Sequence, residues 1–326
     1  MNEWGREGMP YLFAIDYAIR RPLLIPLSEV NQEEVLFEIN GKLHFPTHDG
    51  SYVSPSSYQR RGSNTEFRFS KSPEPFSVYH EKFSQAMAHI RHGDTYLLNL
   101  TCQTPIYFSS DLRSLFFQVH APYKLLLENN VLVFSPECFV KIVDGRIFSF
   151  PMKGTIDAAV PDAEAKILQD PKETAEHYTI VDLIRNDLSQ VASSVRVDSF
   201  RHILKVHTNQ KDLLQVSSTI SGTLGNDYVA HLGDIFRALL PAGSVTGAPK
   251  EKTCEIIEDI EGYDRGYYTG IFGVFDGVSV DSAVMIRYIE RENDQFVFKS
   301  GGGITMYSDA ESEYQEMIDK VYVPLV

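Results

Sequence analysis

The chain has 326 residues, 43% of them hydrophobic and 12% aromatic, enough for a large core, yet it contains no run of about 18 apolar residues that would cross a bilayer. Its formal net charge is −14 with no dense lysine or arginine cluster, a field that repels nucleic acid and anionic lipid. An anionic small ligand therefore needs a local positive device: a metal ion, an arginine or aimed backbone amides.

The N-terminus, MNEWGREGMPYLFAIDYAIRRP, has early acidic residues, a broken apolar run and no small-residue cleavage site, and reads as that of a cytoplasmic chain. Residues 47 to 75 are the most polar and turn-rich part, either an exposed loop or a seam between an N-terminal portion, 1–75, and the rest, 76–326. With no repeat or linker, one continuous domain is the simpler reading. Tyr79, Phe83, Met87 and Ile90 then predict an amphipathic helix with Ser77 as its N-cap and Gly93 as its stop. TYLLNLT reads as a strand and YKLLLENNVLVFS as a hairpin turning at Asn129 and Asn130. CFVKIVDGRIFSF is a second hairpin, whose Asp144-Gly145 turn suits type I′ geometry, and its end at Phe150 leaves Lys153 just past a strand.

Asp170, Pro171 and Glu173, at N-cap, N1 and N3, open a longer helix with Val181, Ile184 and Leu188 along one side. Gln215 to Thr223 reads as β, followed by helix through Leu240 and a further helix from PAGSVTGAPK to about Glu261. Three strands, with turns at Asp276-Gly277 and around Asn293, precede a last helix in SGGGITMYSDAESEYQEMIDK. Long antiparallel strands mixed with helices, without βαβ alternation, predict an α+β fold.

Two helices each carry Glu-x-x-Glu, Glu173 with Glu176 and Glu313 with Glu316, a spacing that puts both carboxylates on one face. Singly, each is a solvated acidic surface; facing one another, the four would demand a hard cation, for which Mg2+ with one or two direct carboxylates is the natural choice. PAGSVTGAPK is either an ordinary glycine-rich helix start or a loop that aims N–H groups at an anion, and it lacks the spacing of a Walker A loop. The run Gly301 to Gly303 reflects either a tight turn or close backbone approach. Arg265 and Arg287 are the remaining candidates to hold a carboxylate. Cys102, Cys138 and Cys254 lack zinc or disulfide spacing and read as small apolar residues. Lys153, in FSFPMKGT, is either a solvated charge or a nucleophile. At an ordinary pKa of about 10.4 only about one amine in 2,500 is neutral at pH 7, so the second role predicts a site that favours the free amine.

The ordered set SPECF, FPMKGT, ETAEHYTIVDLIRNDLSQVA, LLPAGSVTGAPK, DRGYYTGIFG and SGGGITMYSDAESEYQEMIDK closely resembles the chorismate-utilising enzymes from about Tyr79 to Lys320, and most of all their aminodeoxychorismate synthase component I branch. The resemblance implies two large antiparallel β-sheets packed face to face, with helices around them and the active site between. It also implies Mg2+ bridging the ring carboxylate of chorismate to Glu176 and Glu316, with Glu173 and Glu313 as neighbours or water-mediated ligands. Thr246, Gly247, Tyr268, Arg287, Gly301, Gly302, Gly303 and Lys320 match positions that hold the substrate. Glu137 matches the general acid that assists loss of the C4 hydroxyl, and Lys153, with Thr155 nearby, matches the amine that adds at C2 before ammonia attacks C4.

The implied product is 4-amino-4-deoxychorismate, on the route to para-aminobenzoate and folate. Ammonia would come from a separate glutamine amidotransferase subunit, since no cysteine here sits in a glycine-rich nucleophile turn. Isochorismate and salicylate synthases carry a water-activating lysine where this chain has Leu97. Anthranilate synthases, the alternative reading, have a small residue in place of Lys153 and a histidine where Gln215 stands. Both departures favour a product that keeps its enolpyruvyl group.

Overall fold

The structure is a computed structural model that describes residues 1–43, 67–207 and 212–325; most of the polar stretch expected as a loop or seam, from 47 to 66, lies outside the described residues. Two antiparallel sheets of nine strands each organise the described residues. The first runs in the order Met152–Asp157, Asp212–Thr223, Arg146–Ser149, Cys138–Val143, Val280–Val284, Ile271–Phe275, Tyr11–Ile15, Leu23–Pro26, with Ser193–His207 also paired to Asp212–Thr223. The second runs Gly247–Ala248, Leu97–Phe108, Gln295–Ile304, Tyr288–Glu292, Val131–Ser135, Tyr123–Leu127, Val35–Ile39, Lys42–Leu43, with Phe69–Lys71 also paired to Leu97–Phe108. Together with the surrounding helices they give the expected α+β architecture.

Period-two alternation distributes each strand between two cores. Leu12 and Ala14 of the first sheet join Phe37, Leu125 and Val133 of the second in the layer between the sheets. Tyr11, Phe13 and Ile15 point the other way, onto Ile235, Phe236 and Leu239 of the helix Leu232–Leu239. On the outer face of the second sheet, Leu98, Leu100 and Cys102 pack against three helices, Phe76–His92, Lys250–Glu261 and Ala310–Asp319. The central strands are thus covered on both faces, and Tyr11–Ile15 is buried at every position.

The hairpin turns fall at 128–130 and at Asp144-Gly145, the latter with φ of 50° and 70°, as a type I′ turn requires. Several boundaries differ from expectation. The helix expected to start at Ser77 begins at Phe76 with Pro75 before it and no side-chain cap, although Gly93 ends it in the left-handed region as anticipated. Lys153 lies within a strand, Met152–Asp157, because the chain re-pairs with Asp212–Thr223 directly after the preceding hairpin. Four strands, not three, precede the last helix. Ser193–His207 was not anticipated: it is an interrupted edge strand whose register shifts three times, which destroys the alternation a strand shows in sequence.

Candidate functional site

Edge strand, helix ends and two loops converge on one cleft of about 280 Å³. Its wall includes Lys153, Gly154 and Thr155 from the edge strand, Glu137 from the SPECF corner, and Glu176 from the helix Pro171–Ser189. Gly247, Tyr268, Arg287, the run Gly301 to Gly303, Glu316 and Lys320 complete it. A more open depression of about 730 Å³ over the last helix shares Arg287, Glu316 and Lys320 and forms its mouth. Leu97 and Gln215, which with Lys153 are the positions at which the branches differ, also line the cleft.

The two acidic helices reach the cleft because each starts with a well-made cap. Asp170 accepts the Glu173 N–H at 2.9 Å and Asp309 accepts the Ser312 N–H at 3.0 Å, which fixes the first turns that carry Glu173 and Glu313. Glu176 and Glu316 line the cleft, while Glu173 and Glu313 lie behind them against glycines. A Cβ on Gly154 would stand 3.1 Å from Glu173 Oε2, and one on Gly302 would stand 3.2 Å from Glu313 Oε2. Gly302 therefore makes room for the glutamates, whereas a Cβ on Gly301 would strike the carbonyl of Leu100 in the next strand. Among the described residues no three His, Cys, Asp or Glu side chains close into a metal-binding group. The cleft glutamates are instead met by lysines: Lys153 Nζ is 3.2 Å from Glu176 Oε2, and Lys320 Nζ is 2.6 Å from Glu316 Oε1 and 2.8 Å from the Gly301 carbonyl.

The side chains around Lys153 do not by themselves favour its free amine. Burial works toward neutrality, but the Glu176, Glu316 and Glu173 carboxylates outweigh it and hold the ammonium above the ordinary lysine range. The opposite imbalance holds at Glu137, whose carboxyl is raised by burial against the lowering effect of a Ser244 hydrogen bond and of Lys153, Arg287 and Lys320. A carboxyl that retains its proton in this way can act as an acid. His177, wholly buried beside Glu176, is pushed down to about 4 by burial and by Arg201, His202 and Lys153, and its neutral ring bonds Ser218 Oγ at 2.7 Å.

The two candidate arginines separate cleanly. Arg265 is spent on structure: its guanidinium bonds both oxygens of Glu261, at 2.8 and 2.6 Å, and the carbonyls of Val245 and Asn99, with both side chains at most 2% exposed. Arg287 faces the cleft with its buried Nε lacking any hydrogen-bond partner, its guanidinium 5.5 Å over the Tyr322 ring. Thr246, expected to touch the substrate, is wholly buried outside the cleft wall, and its carbonyl accepts the Asn99 N–H. Its neighbour Ser244 is on the wall and was missed; a serine inside a glycine-rich loop carries no sequence signal that separates it from turn chemistry. The loop is pinned from behind by Asp187, whose carboxylate is 3.0 Å from Lys250 Nζ, so that the RNDL and GAPK segments meet as a partly buried ion pair.

The cleft thus sets the carboxyl groups of Glu137, Glu176 and Glu316 among the cations of Lys153, Lys299, Lys320 and Arg287. The sequence profile of the chorismate binding enzymes matches residues 31–326, and the chain belongs to that family. A Haemophilus influenzae protein described as an uncharacterized PabA-like protein is 46% identical over 99% of this chain and 95% of its own length. Aminodeoxychorismate synthase component 1 of Escherichia coli K12 is 35% identical over 74% of this chain, and the match spans 56% of that protein. Anthranilate synthase component 1 1 of Haloarcula marismortui is also 35% identical, over 71% of this chain and 49% of that protein. No helix among the described residues is long and apolar enough to cross a membrane.

Proposed function

We propose that this chorismate-utilising enzyme aminates chorismate at C4 to give 4-amino-4-deoxychorismate. The observation that carries the reading is the placement of Lys153 on the cleft wall together with Glu137, with Leu97 and Gln215 at the positions where other branches need a lysine or a histidine. After the Lys153 ammonium gives up a proton to solvent, the free amine adds at C2 as the C4–O bond breaks, Glu137 gives its proton to the departing oxygen, and water leaves. Ammonia then attacks C4 and expels the lysine amine. Arg287 holds a substrate carboxylate, since its guanidinium is the cation in the cleft with an unsatisfied donor.

The oxygen-only donor set of Glu176 and Glu316, backed by Glu173 and Glu313, fits a hard cation such as Mg2+, which would supply charge neutralisation between these carboxylates and an anionic substrate. Glu176→Gln and Glu316→Gln are expected to abolish turnover with the circular dichroism spectrum unchanged; full activity in excess chelator would remove the metal from the scheme. Ammonia comes from a separate amidotransferase subunit. Burial pushes the Cys138 thiol up to about 12 and raises Cys254 and the fully buried Cys102 as well, so none is poised as a glutaminase nucleophile.

Mass spectrometry of chorismate incubated with the protein, Mg2+ and ammonium tests the assignment. A product retaining the enolpyruvyl group supports it. Anthranilate, which has lost pyruvate, would move the chain to the branch that the halophile relative represents.

A further inference from the structure

Ser244 is the nearest hydrogen-bonding side chain to the proposed acid. It sits in the short turn Gly243–Val245, and its Oγ donates to Glu137 Oε1 at 3.1 Å. The rest of Glu137 is fixed as well: its N–H donates to Ser135 Oγ at 3.1 Å and its carbonyl accepts the Val284 N–H at 3.2 Å. The turn that carries Ser244 has little freedom, because a Cβ on Gly243 would lie 2.7 Å from Asp187 Oδ2, and Asp187 is tied to Lys250. Backbone and side chain of Glu137 are thus held by three different segments, and one carboxyl oxygen is already occupied.

We infer that Ser244 is a positioning residue for Glu137: by occupying Oε1 it assigns the transferable proton to Oε2 and stabilises the anion left after transfer. This rests on the general-acid role given to Glu137 above. As the C4–O bond breaks, its electron pair leaves on oxygen, the oxygen takes the Oε2 proton and departs as water, and Glu137 becomes a carboxylate. A hydroxyl donor to that carboxylate makes the acid stronger and lowers the cost of the step. The other groups around Glu137 are Lys153 on the edge strand, Arg287 ahead of Tyr288–Glu292 and Lys320 after the last helix, all cationic. Across a small cavity of about 30 Å³ lies Asp187, paired with Lys250.

The test follows chorismate disappearance, whatever the product, in wild type, Ser244→Ala, Ser244→Thr, Glu137→Gln and the double variant Ser244→Ala/Glu137→Gln. Ser244→Ala is expected to lower kcat about tenfold with KM little changed and to move the high-pH limb, where Glu137 loses its proton, upward by about one pH unit. Ser244→Thr, which keeps the hydroxyl, restores both. In the Glu137→Gln background the loss of the hydroxyl adds nothing further. A loss that multiplies with that of Glu137→Gln, or a pH limb that stays in place, overturns the inference. Product identity bears only on the C4 amination reading. If no turnover is found, isotope-edited infrared titration of the Glu137 carboxyl decides instead: an upward shift in Ser244→Ala supports the pairing, and identical titrations overturn it.

Discussion

Lys153→Ala is expected to lose nearly all formation of aminodeoxychorismate at neutral pH, by about a hundredfold or more, the scale on which a positioned catalytic group is felt. The Lys153 amine is on the cleft wall with Glu137 and in contact with Glu176, at the irregularity where the pairing with Asp212–Thr223 shifts between Met152 and Thr155. Given chorismate and Mg2+ without ammonia, the wild-type chain should accumulate an adduct on Lys153, visible by intact mass and peptide mapping and missing in the variant. Residual ammonia attack in the variant is expected to shift toward C2. Wild-type rates in Lys153→Ala would reduce the lysine to a counter-ion for Glu176 and withdraw the branch assignment.

The second large effect is on stability. Removing one partner of the buried Glu261–Arg265 pair leaves an uncompensated charge, a loss of about 3–5 kcal/mol. Arg265→Ala should therefore unfold at a much lower urea concentration than wild type, more so because the same guanidinium ties the carbonyls of Val245 and Asn99 and Glu261 also accepts the Thr101 N–H and hydroxyl. Arg287→Ala should do the reverse, leaving the urea midpoint nearly in place while raising KM for chorismate. Equal midpoints for Arg265→Ala and wild type would mean that the pair is hydrated in solution and that its burial has been misjudged.

These two arginines also mark the limit of reading the chain by eye. Both stand beside tyrosines, Arg265 in DRGYYTG and Arg287 in MIRYI, and only the packing of Lys250–Glu261 onto Leu97–Phe108 shows that Glu261 neutralises one of them. The hairpins, the capped helix at Asp170 and the glutamate pairs were legible because turn chemistry, capping and i, i+3 spacing are local. Tyr11–Ile15 was not, because a strand covered on both faces shows no alternation. The charge state of Lys153 was not either: its anionic neighbours come from two helices far apart in sequence, and a local reading supplies only the burial half of the balance.

The pairing of the first strand sets the order in which the molecule can be made. Tyr11 lies opposite Phe275 and Ile15 opposite Ile271, so a segment that leaves the ribosome among the first, and that pairs on its other side with Leu23–Pro26, finds its second partner only after about 260 further residues have been synthesised. Val35–Ile39, by contrast, pairs with Tyr123–Leu127 and can begin the second sheet with less than half the chain available. Closing such distant ends costs loop entropy before any contact repays it, which slows folding and leaves one edge of the apolar YLFAI segment unpaired for most of elongation. Both sheets take late strands, Ile271–Phe275 and Val280–Val284 in the first and Tyr288–Glu292 and Gln295–Ile304 in the second, and chains truncated before Ile271 would leave one edge of YLFAI without its neighbour, exposed to aggregation.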